Sequence, residues 1–243
     1  MYIKVHAVSY QGGLIVYFFQ KESIMKHFIP ALLAVVLSIP CAAFCQTVSD
    51  EEKADGFVSC FDGKTMDGWN GDTTGYFAQD GVMVCKPGGN VYLAKDYKNF
   101  IYRFEFKLTE NANNGVGIRC ERGKDAAYYG MEIQVLDNSG SAYRHLQPYQ
   151  YHGSIYGIVP ADRDCQKPVG EWNTEEIYVN GTKIKVTVNG KVIVDADIAQ
   201  FKGDGDTMDH RQHPGLHNET GAIGFLGHGH YVEFRNIRIK ELP

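Results

Sequence analysis

The chain has 243 residues, enough for one large domain or two small ones. Its formal net charge of -5 comes without any basic run, which argues against nucleic acid as a partner. Six cysteines lack a close C-x-x-C pair, so a zinc-binding cysteine cluster is not expected.

Residues 1–24 precede Met25 and read as an over-extended start rather than a structural element. Met25-Lys26-His27, the apolar run Phe28 to Ile39 and the small-residue stretch before Gln46 have the three regions of a secretory signal peptide, 25–45. The apolar run falls short of the about 20 residues a spanning helix needs, and no later segment approaches that length. The expectation is an exported protein, periplasmic or extracellular, cleaved after Cys45. A lipid anchor on Cys41 or Cys45 fits less well, because Pro40 and Phe44 are poor residues before a lipidated cysteine. Cys60, Cys85, Cys120 and Cys165 would remain, and an oxidising compartment permits bridges among them in any of three pairings.

The polar, acidic segment 46–56 reads as a tether, and from Phe57 onward the pattern is β. Phe100, Tyr102, Phe104, Phe106 and Leu108 alternate with Arg103, Glu105 and Lys107, the period of a strand with one buried face. Val116, Ile118 and Cys120 alternate with Gly117, Arg119 and Glu121. Met131, Ile133 and Val135 alternate with Glu132 and Gln134. Asn180-Gly181 and Asn189-Gly190 suit tight hairpin turns and predict an antiparallel meander. The last run, Val232 to Leu242, switches parity near Asn236, as a bulge would cause. Many short strands and 27 glycines predict an all-β, antiparallel two-sheet sandwich over 57–243. Two long segments, Asn138 to Gly170 and Ala199 to Thr220, break this rhythm and are expected to rim a site.

Candidate chemistry gathers around one strand. Alternation points Glu132 and Gln134 out of one face, and places Arg119 and Glu121 similarly on a neighbouring run beside the open space of Gly115 and Gly117. If those strands pair, acid, amide and guanidinium converge. An ordinary solvated sheet face has the same pattern, and the long loops and aromatics are what favour a site. All seven histidines beyond the leader follow Tyr143. Imidazole suits several divalent metals, so a metal ion is a candidate cofactor, with an oxygen-rich calcium site offered by Asp204, Asp206 and Asp209. Tyr143, Tyr149, Tyr151, Tyr156 and Trp172, mixed with Gln147, His152 and Asn173, make the combination of apolar walls and few polar groups that suits a sugar. No G-x-S-x-G elbow is present, so a serine hydrolase lacks support.

Several motifs in one order carry a resemblance. Phe61-Asp62-Gly63-Lys64-Thr65-Met66-Asp67-Gly68-Trp69, Gly117-Ile118-Arg119, Gly130 to Asp137, Gly153-Ser154-Ile155-Tyr156, Gly170-Glu171-Trp172-Asn173 and Phe234-Arg235-Asn236-Ile237 are similar to the bacterial 3-keto-disaccharide hydrolase family. The resemblance spans Phe57 to Leu242. It implies a concanavalin-like jelly roll and cleavage of 3-keto-glycosides by C2 proton abstraction, elimination and hydration. It implies Glu132 as base or metal ligand, Arg119 as the group holding the enediolate, and His152 or Tyr156 serving the leaving group. Substrate contacts fall on Gln134, Asp137, Tyr156, Trp172, Asn173, His213 and His228, and Glu132, His152 and His213 are the candidate metal ligands. Where many relatives have Leu-Gln-Asp-His-Gly, this chain has Phe225-Leu226-Gly227-His228-Gly229, keeping the histidine without its two polar predecessors. Two other readings stay open: a non-catalytic carbohydrate-binding module on the same fold, and a conventional glycoside hydrolase, which the amide at Gln134 weakens because such enzymes need two carboxyls.

Overall fold

The structure, a computed structural model, describes residues 3–9, 15–21 and 48–243; the signal peptide expected at 25–45 lies outside them. The chain divides into two units, residues 1–43 and 44–243. In the first, Ile3–Ser9 (β1) and Ile15–Lys21 (β2) pair antiparallel, so the stretch read as no structural element contains a hairpin.

In the second unit the chain is folded from Val48 on. Asp50–Ala54 forms a single-turn helix (α1) whose N-cap, Ser49, accepts a hydrogen bond from Glu52 N on Oγ at 3.1 Å. Its Glu52 Oε1 accepts from Arg103 Nη1 at 3.0 Å and Arg238 Nε at 2.8 Å, so the expected tether at 46–56 is in large part docked onto the domain.

Thirteen strands follow in the described residues. They are Val58–Ser59 (β3), Trp69–Gly71 (β4), Tyr76–Gln79 (β5), Val82–Cys85 (β6), Asn90–Tyr97 (β7), Phe100–Leu108 (β8), Asn113–Cys120 (β9) and Met131–Leu136 (β10). Asn173–Asn180 (β11), Lys183–Val188 (β12), Lys191–Asp197 (β13), Gly221–Gly227 (β14) and Val232–Glu241 (β15) complete them. Two antiparallel sheets result. One has five strands in the order β10-β9-β14-β7-β4; the other has eight, in the order β13-β12-β11-β8-β15-β6-β5 with β3 beside β15. This is the antiparallel two-sheet sandwich that the alternation predicts, and the jelly roll that the resemblance implies.

The inward faces meet in an aromatic core. Phe225 of β14 stacks on Phe234 of β15 with ring centres 3.8 Å apart, and on Trp69 of β4 at 5.7 Å. Each such pair adds about 0.5–1.5 kcal/mol beyond its burial. The bulge expected at Asn236 is present, with φ +51° and a register shift between Arg235 and Arg238. At Asn189-Gly190 both residues have positive φ, 50° and 82°, as the tight turn requires. The other hairpin centres one residue later than its motif: Asn180 pairs with Lys183, and Gly181, φ +58°, takes the first central position. Cys60, Cys85, Cys120 and Cys165 are all free thiols.

Candidate active site

Strand β10 lies at the edge of the five-stranded sheet, and its pairing with β9 sets Glu132 opposite Gly117 and Gln134 opposite Gly115. Both polar side chains leave the sheet on its outer face, as alternation requires, while Met131, Ile133 and Val135 enter the core. Gly115 is what lets Glu132 lie down: a methyl group built there would overlap the Glu132 carboxylate. Beyond β10 the first long loop continues the sheet. Gln134 N donates to Ser154 O, Gly153 N to Gln134 O, and Tyr156 N to Glu132 O. That pairing fixes Tyr156 beside Glu132.

These elements enclose a cavity of about 390 Å³. Glu132 and Gln134 form its floor with Asn113, and His228 closes it from the end of β14. His228 Nε2 lies 3.2 Å from Glu132 Oε1. The hydrogen bond to Glu132 raises the imidazolium pKa above its ordinary value against the opposing effect of burial, with the charges of Glu132 and Asp125 adding to the rise. Gln150 Nε2 donates to Tyr156 Oη at 3.0 Å and Arg211 Nη1 to Tyr128 Oη at 2.8 Å, so both phenols keep their own O–H to donate into the cavity. Gln134 Oε1 is buried without a partner, an acceptor aimed at a site where a sugar hydroxyl can donate.

Both long loops rim this cavity, through Tyr143, Leu146, Gln150 and Tyr156 of the first and Arg211 of the second. Of the candidate residues, Glu132, Gln134, Tyr156 and His228 come together, and the others do not. Arg119 has φ +50°, and a bulge there shifts the alternation of β9. Its guanidinium turns away from Glu132 and donates to Lys98 O at 3.0 Å and 2.7 Å, to Gly181 O at 2.9 Å, and to Asn99 Oδ1. It ties the β7–β8 and β11–β12 turns together rather than facing a sugar.

His152 is fully buried between the sheets with its ring 4.9 Å from Phe106, and burial pushes its pKa down to about 3. It reaches no substrate. Asp137 ties its own loop to the β8–β9 turn, accepting from Asn111 N, Ser139 N and Ser139 Oγ. Asn173 Oδ1 accepts from Lys167 N and Asn189 Nδ2. Trp172 lies against Lys107 and Arg235, 4.9 Å and 4.0 Å from its ring centre, on the other sheet. His213 sits behind the wall: Nε2 is 3.0 Å from Asp209 Oδ1, and its ring packs on Tyr128. The candidate metal ligands Glu132, His152 and His213 therefore occupy three separate settings. Among the described residues no group of three or more His, Cys, Asp or Glu is disposed to hold a metal ion.

Sequence reasoning missed Asp125, Tyr128, Gln150 and Arg211. The motif Gly130 to Asp137 stops just short of Tyr128, and nothing local marks Arg211 as facing Tyr128 across 83 positions of chain.

A jelly roll carrying an acid–imidazole contact at the floor of a polar, aromatic-walled hollow defines a protein built to take a sugar on one sheet face. Comparison with known proteins agrees. The chain belongs to the 3-keto-alpha-glucoside-1,2-lyase-like domain family, whose pattern matches residues 56–240. A 3-keto-disaccharide hydrolase of Bacteroides thetaiotaomicron is 28% identical over 235 residues, which cover 78% of this chain and 79% of that protein. The crystal structure of a candidate glycosyl hydrolase from Parabacteroides distasonis superposes with a TM-score of 0.69 at 27% identity, covering 76% of this chain and 99% of that one. A second crystal structure from the same organism, also of a candidate glycosyl hydrolase, gives 0.68 at 24% identity over 82% and 99% of the two chains and speaks to the fold alone. Family and relatives together support a hydrolase that acts on carbohydrate.

Proposed function

We propose that the chain cleaves 3-keto-glycosides through removal of the C2 proton, expulsion of the C1 substituent and addition of water. The observation that carries this reading is the 3.2 Å contact between His228 Nε2 and Glu132 Oε1 at the floor of the cavity. A ketone at C3 acidifies the C2 hydrogen, because the electron pair left on C2 spreads onto the ketone oxygen. Glu132 as carboxylate takes that proton. The pair then returns to form the C1–C2 double bond as the C1–O bond breaks, and His228 as imidazolium gives its proton to the departing oxygen. In hydration a water proton goes to His228, the hydroxide adds at C1, and the proton on Glu132 returns to C2. Both groups end as they began.

The developing enediolate needs donors fixed in advance. Tyr128, whose oxygen is held by Arg211, and Tyr156, whose oxygen is held by Gln150, support that role, and Arg211 brings the positive charge first sought at Arg119. The unpaired Gln134 Oε1 accepts a sugar hydroxyl. No step is assigned to a metal, because the candidate ligands do not form one set.

The test pairs a 3-keto-glucoside with its unoxidised parent. Wild type is expected to cleave only the oxidised compound, and Glu132→Gln to lose at least about 100-fold in kcat, as removal of a general base does. Measurable sugar binding without turnover by wild type would identify a binding module instead. Cleavage of the unoxidised parent would identify a conventional glycosidase.

A further inference from the structure

Tyr128 and Tyr156 come from different segments, the β9–β10 turn and the first long loop, yet one aspartate lies behind both. Asp209 N donates to Gly157 O at 3.0 Å, next to Tyr156 in the chain. Asp209 Oδ1 accepts from Thr207 Oγ1 at 2.9 Å and from Arg211 N at 3.0 Å, and His213 Nε2 lies 3.0 Å from it. The turn from Asp209 to Arg211 passes through His210 at φ +58°, a conformation that a non-glycine residue keeps when its surroundings impose it. It brings the Arg211 guanidinium to Tyr128 Oη. His213 packs on the same phenol, its ring centre 4.9 Å from that of Tyr128.

The packing around this pair is close. The Asp209 side chain is 4% exposed and that of His213 is 0%. A methyl group at Gly157 would come within 2.5 Å of Asp209 Oδ2 and 3.1 Å of His213 Cε1, and a side chain at Gly215 would overlap the backbone of Tyr129 and Gly130. Gly215 N donates to Tyr128 O at 2.8 Å, so the second long loop is joined to the β9–β10 turn through the main chain as well. Yet Asp209 Oδ2 and His213 Nδ1 are buried without partners. Unpaired buried polar atoms cost stability, and an apolar pair of the same shape would fill the space without that cost. Cohesion alone therefore does not call for an aspartate and a histidine here. A demand on where the phenols stand does, because a hydrogen bond fixes direction and apolar packing does not.

We infer that Asp209 and His213 are positioning residues for the proposed reaction: neither touches the sugar, and together they hold the Tyr128 and Tyr156 phenols in place around the enediolate. Tyr128 is held through Arg211 and the His213 ring, and Tyr156 through the Gly157 backbone. Donors aimed at a developing charge lose much of their effect when displaced by about 1 Å, so the pair acts on turnover more than on binding. The inference rests on the function proposed for the Glu132 site and adds the residues that aim its donors.

The experiment places 3-fluorotyrosine at position 128 and follows its fluorine resonance together with turnover of a 3-keto-glucoside. In Asp209→Ala the resonance is expected to shift or split, and kcat to fall at least about tenfold with KM within about twofold of wild type. His213→Leu is the second variant, read in the same way should Asp209→Ala not fold. Asp209→Asn keeps the volume and the accepting oxygen, so it should restore both the wild-type resonance and kcat. Glu52→Ala, a change on the other sheet, should move neither, which separates positioning from stability. In a Tyr128→Phe background Asp209→Ala should cost less than it does in wild type, since part of its effect passes through that phenol. An unmoved resonance in folded Asp209→Ala overturns the inference, as does a moved resonance with unchanged kcat in an active wild type. If wild type turns over no 3-keto-glucoside, the catalytic reading fails and the resonance alone decides whether Asp209 fixes Tyr128: a shift supports it, and its absence overturns it.

Discussion

Glu175 is a carboxyl group in the wrong solvent. It stands on β11 in the inward series Asn173, Glu175, Ile177 and Val179, with neither oxygen hydrogen-bonded and only His152 Nε2 within reach, at 3.5 Å. His152 Nδ1 accepts from Leu136 N at 3.3 Å, which puts the ring proton on Nε2, facing the carboxyl. Burial drives the Glu175 pKa well up and the His152 pKa down to about 3, so the pair is uncharged near neutrality. The folded state therefore holds a proton on Glu175 that the unfolded chain has released above its ordinary pKa of about 4.3, and the stability this proton confers is lost as pH rises toward the folded value. His152 acts in the opposite window: the unfolded chain binds its proton below about 6.5 and the folded one does not until about 3, so stability is lost as pH falls through that range. Glu175→Gln removes the first term and keeps the shape. Thermal melts should show the variant about 2–4 °C more stable than wild type at pH 8, with the gap closing toward pH 4.5. A gap that does not vary with pH would mean that Glu175 is already ionised in the fold. The glutamate was legible, since it shares parity with Ile177 and Val179. Its partner was not, because a histidine in a loop of tyrosines and glycines carries no sign of which way it turns.

At the scale of a strand, what alternation tells depends on whether it is broken. β8 runs unbroken from Phe100 to Leu108, and its pattern is its structure. The break at Asn236 could be seen because Phe234 and Ile237 are both strongly apolar and asparagine accepts positive φ readily. The break at Arg119 could not. Arginine is a poor occupant of φ +50°, and the next residue, Cys120, serves on either face; it ends in the small outer cluster with Tyr92 and Leu226 instead of in the core. That one residue of phase turns the expected catalytic guanidinium into a fastener between the β7–β8 and β11–β12 turns. Arg119→Met should accordingly cost about 2–4 kcal/mol in denaturant unfolding, through the lost charged donors to backbone carbonyls, and leave kcat per folded molecule as in wild type. A kcat loss in folded Arg119→Met that exceeds the stability loss would return the residue to the chemistry.

For the molecule as a whole, catalysis and cohesion are divided between the sheets. The five-stranded sheet carries the hollow, whose walls come from segments far apart in sequence: Tyr128 after β9, Tyr156 after β10 and Arg211 before β14. Such walls exist only once the sandwich has closed, which is why local motifs pointed to the floor and missed the rim. The eight-stranded sheet carries the ion network on its outer face. There Arg103 of β8 bonds Glu176 of β11 through Nε at 2.6 Å and Glu52 of α1 through Nη1, while Arg238 of β15 bonds the same Glu52 oxygen. One carboxylate thus holds two guanidiniums on neighbouring strands, and it comes from a segment whose sequence looked like a tether. Removing it leaves two like charges side by side at a partly solvated surface, where their repulsion is screened by salt. Glu52→Ala is therefore expected to lower the melting temperature by about 2–4 °C in low-salt buffer, and by less at 1 M salt where the screening length shrinks to about 3 Å. Because α1 docks on the sheet that lacks the site, kcat/KM of the folded variant should match wild type at both salt concentrations. A melting temperature unmoved at low salt would show that α1 is the loose tether its composition suggests. A parallel loss of kcat/KM would show that the two sheets are coupled through the core they share.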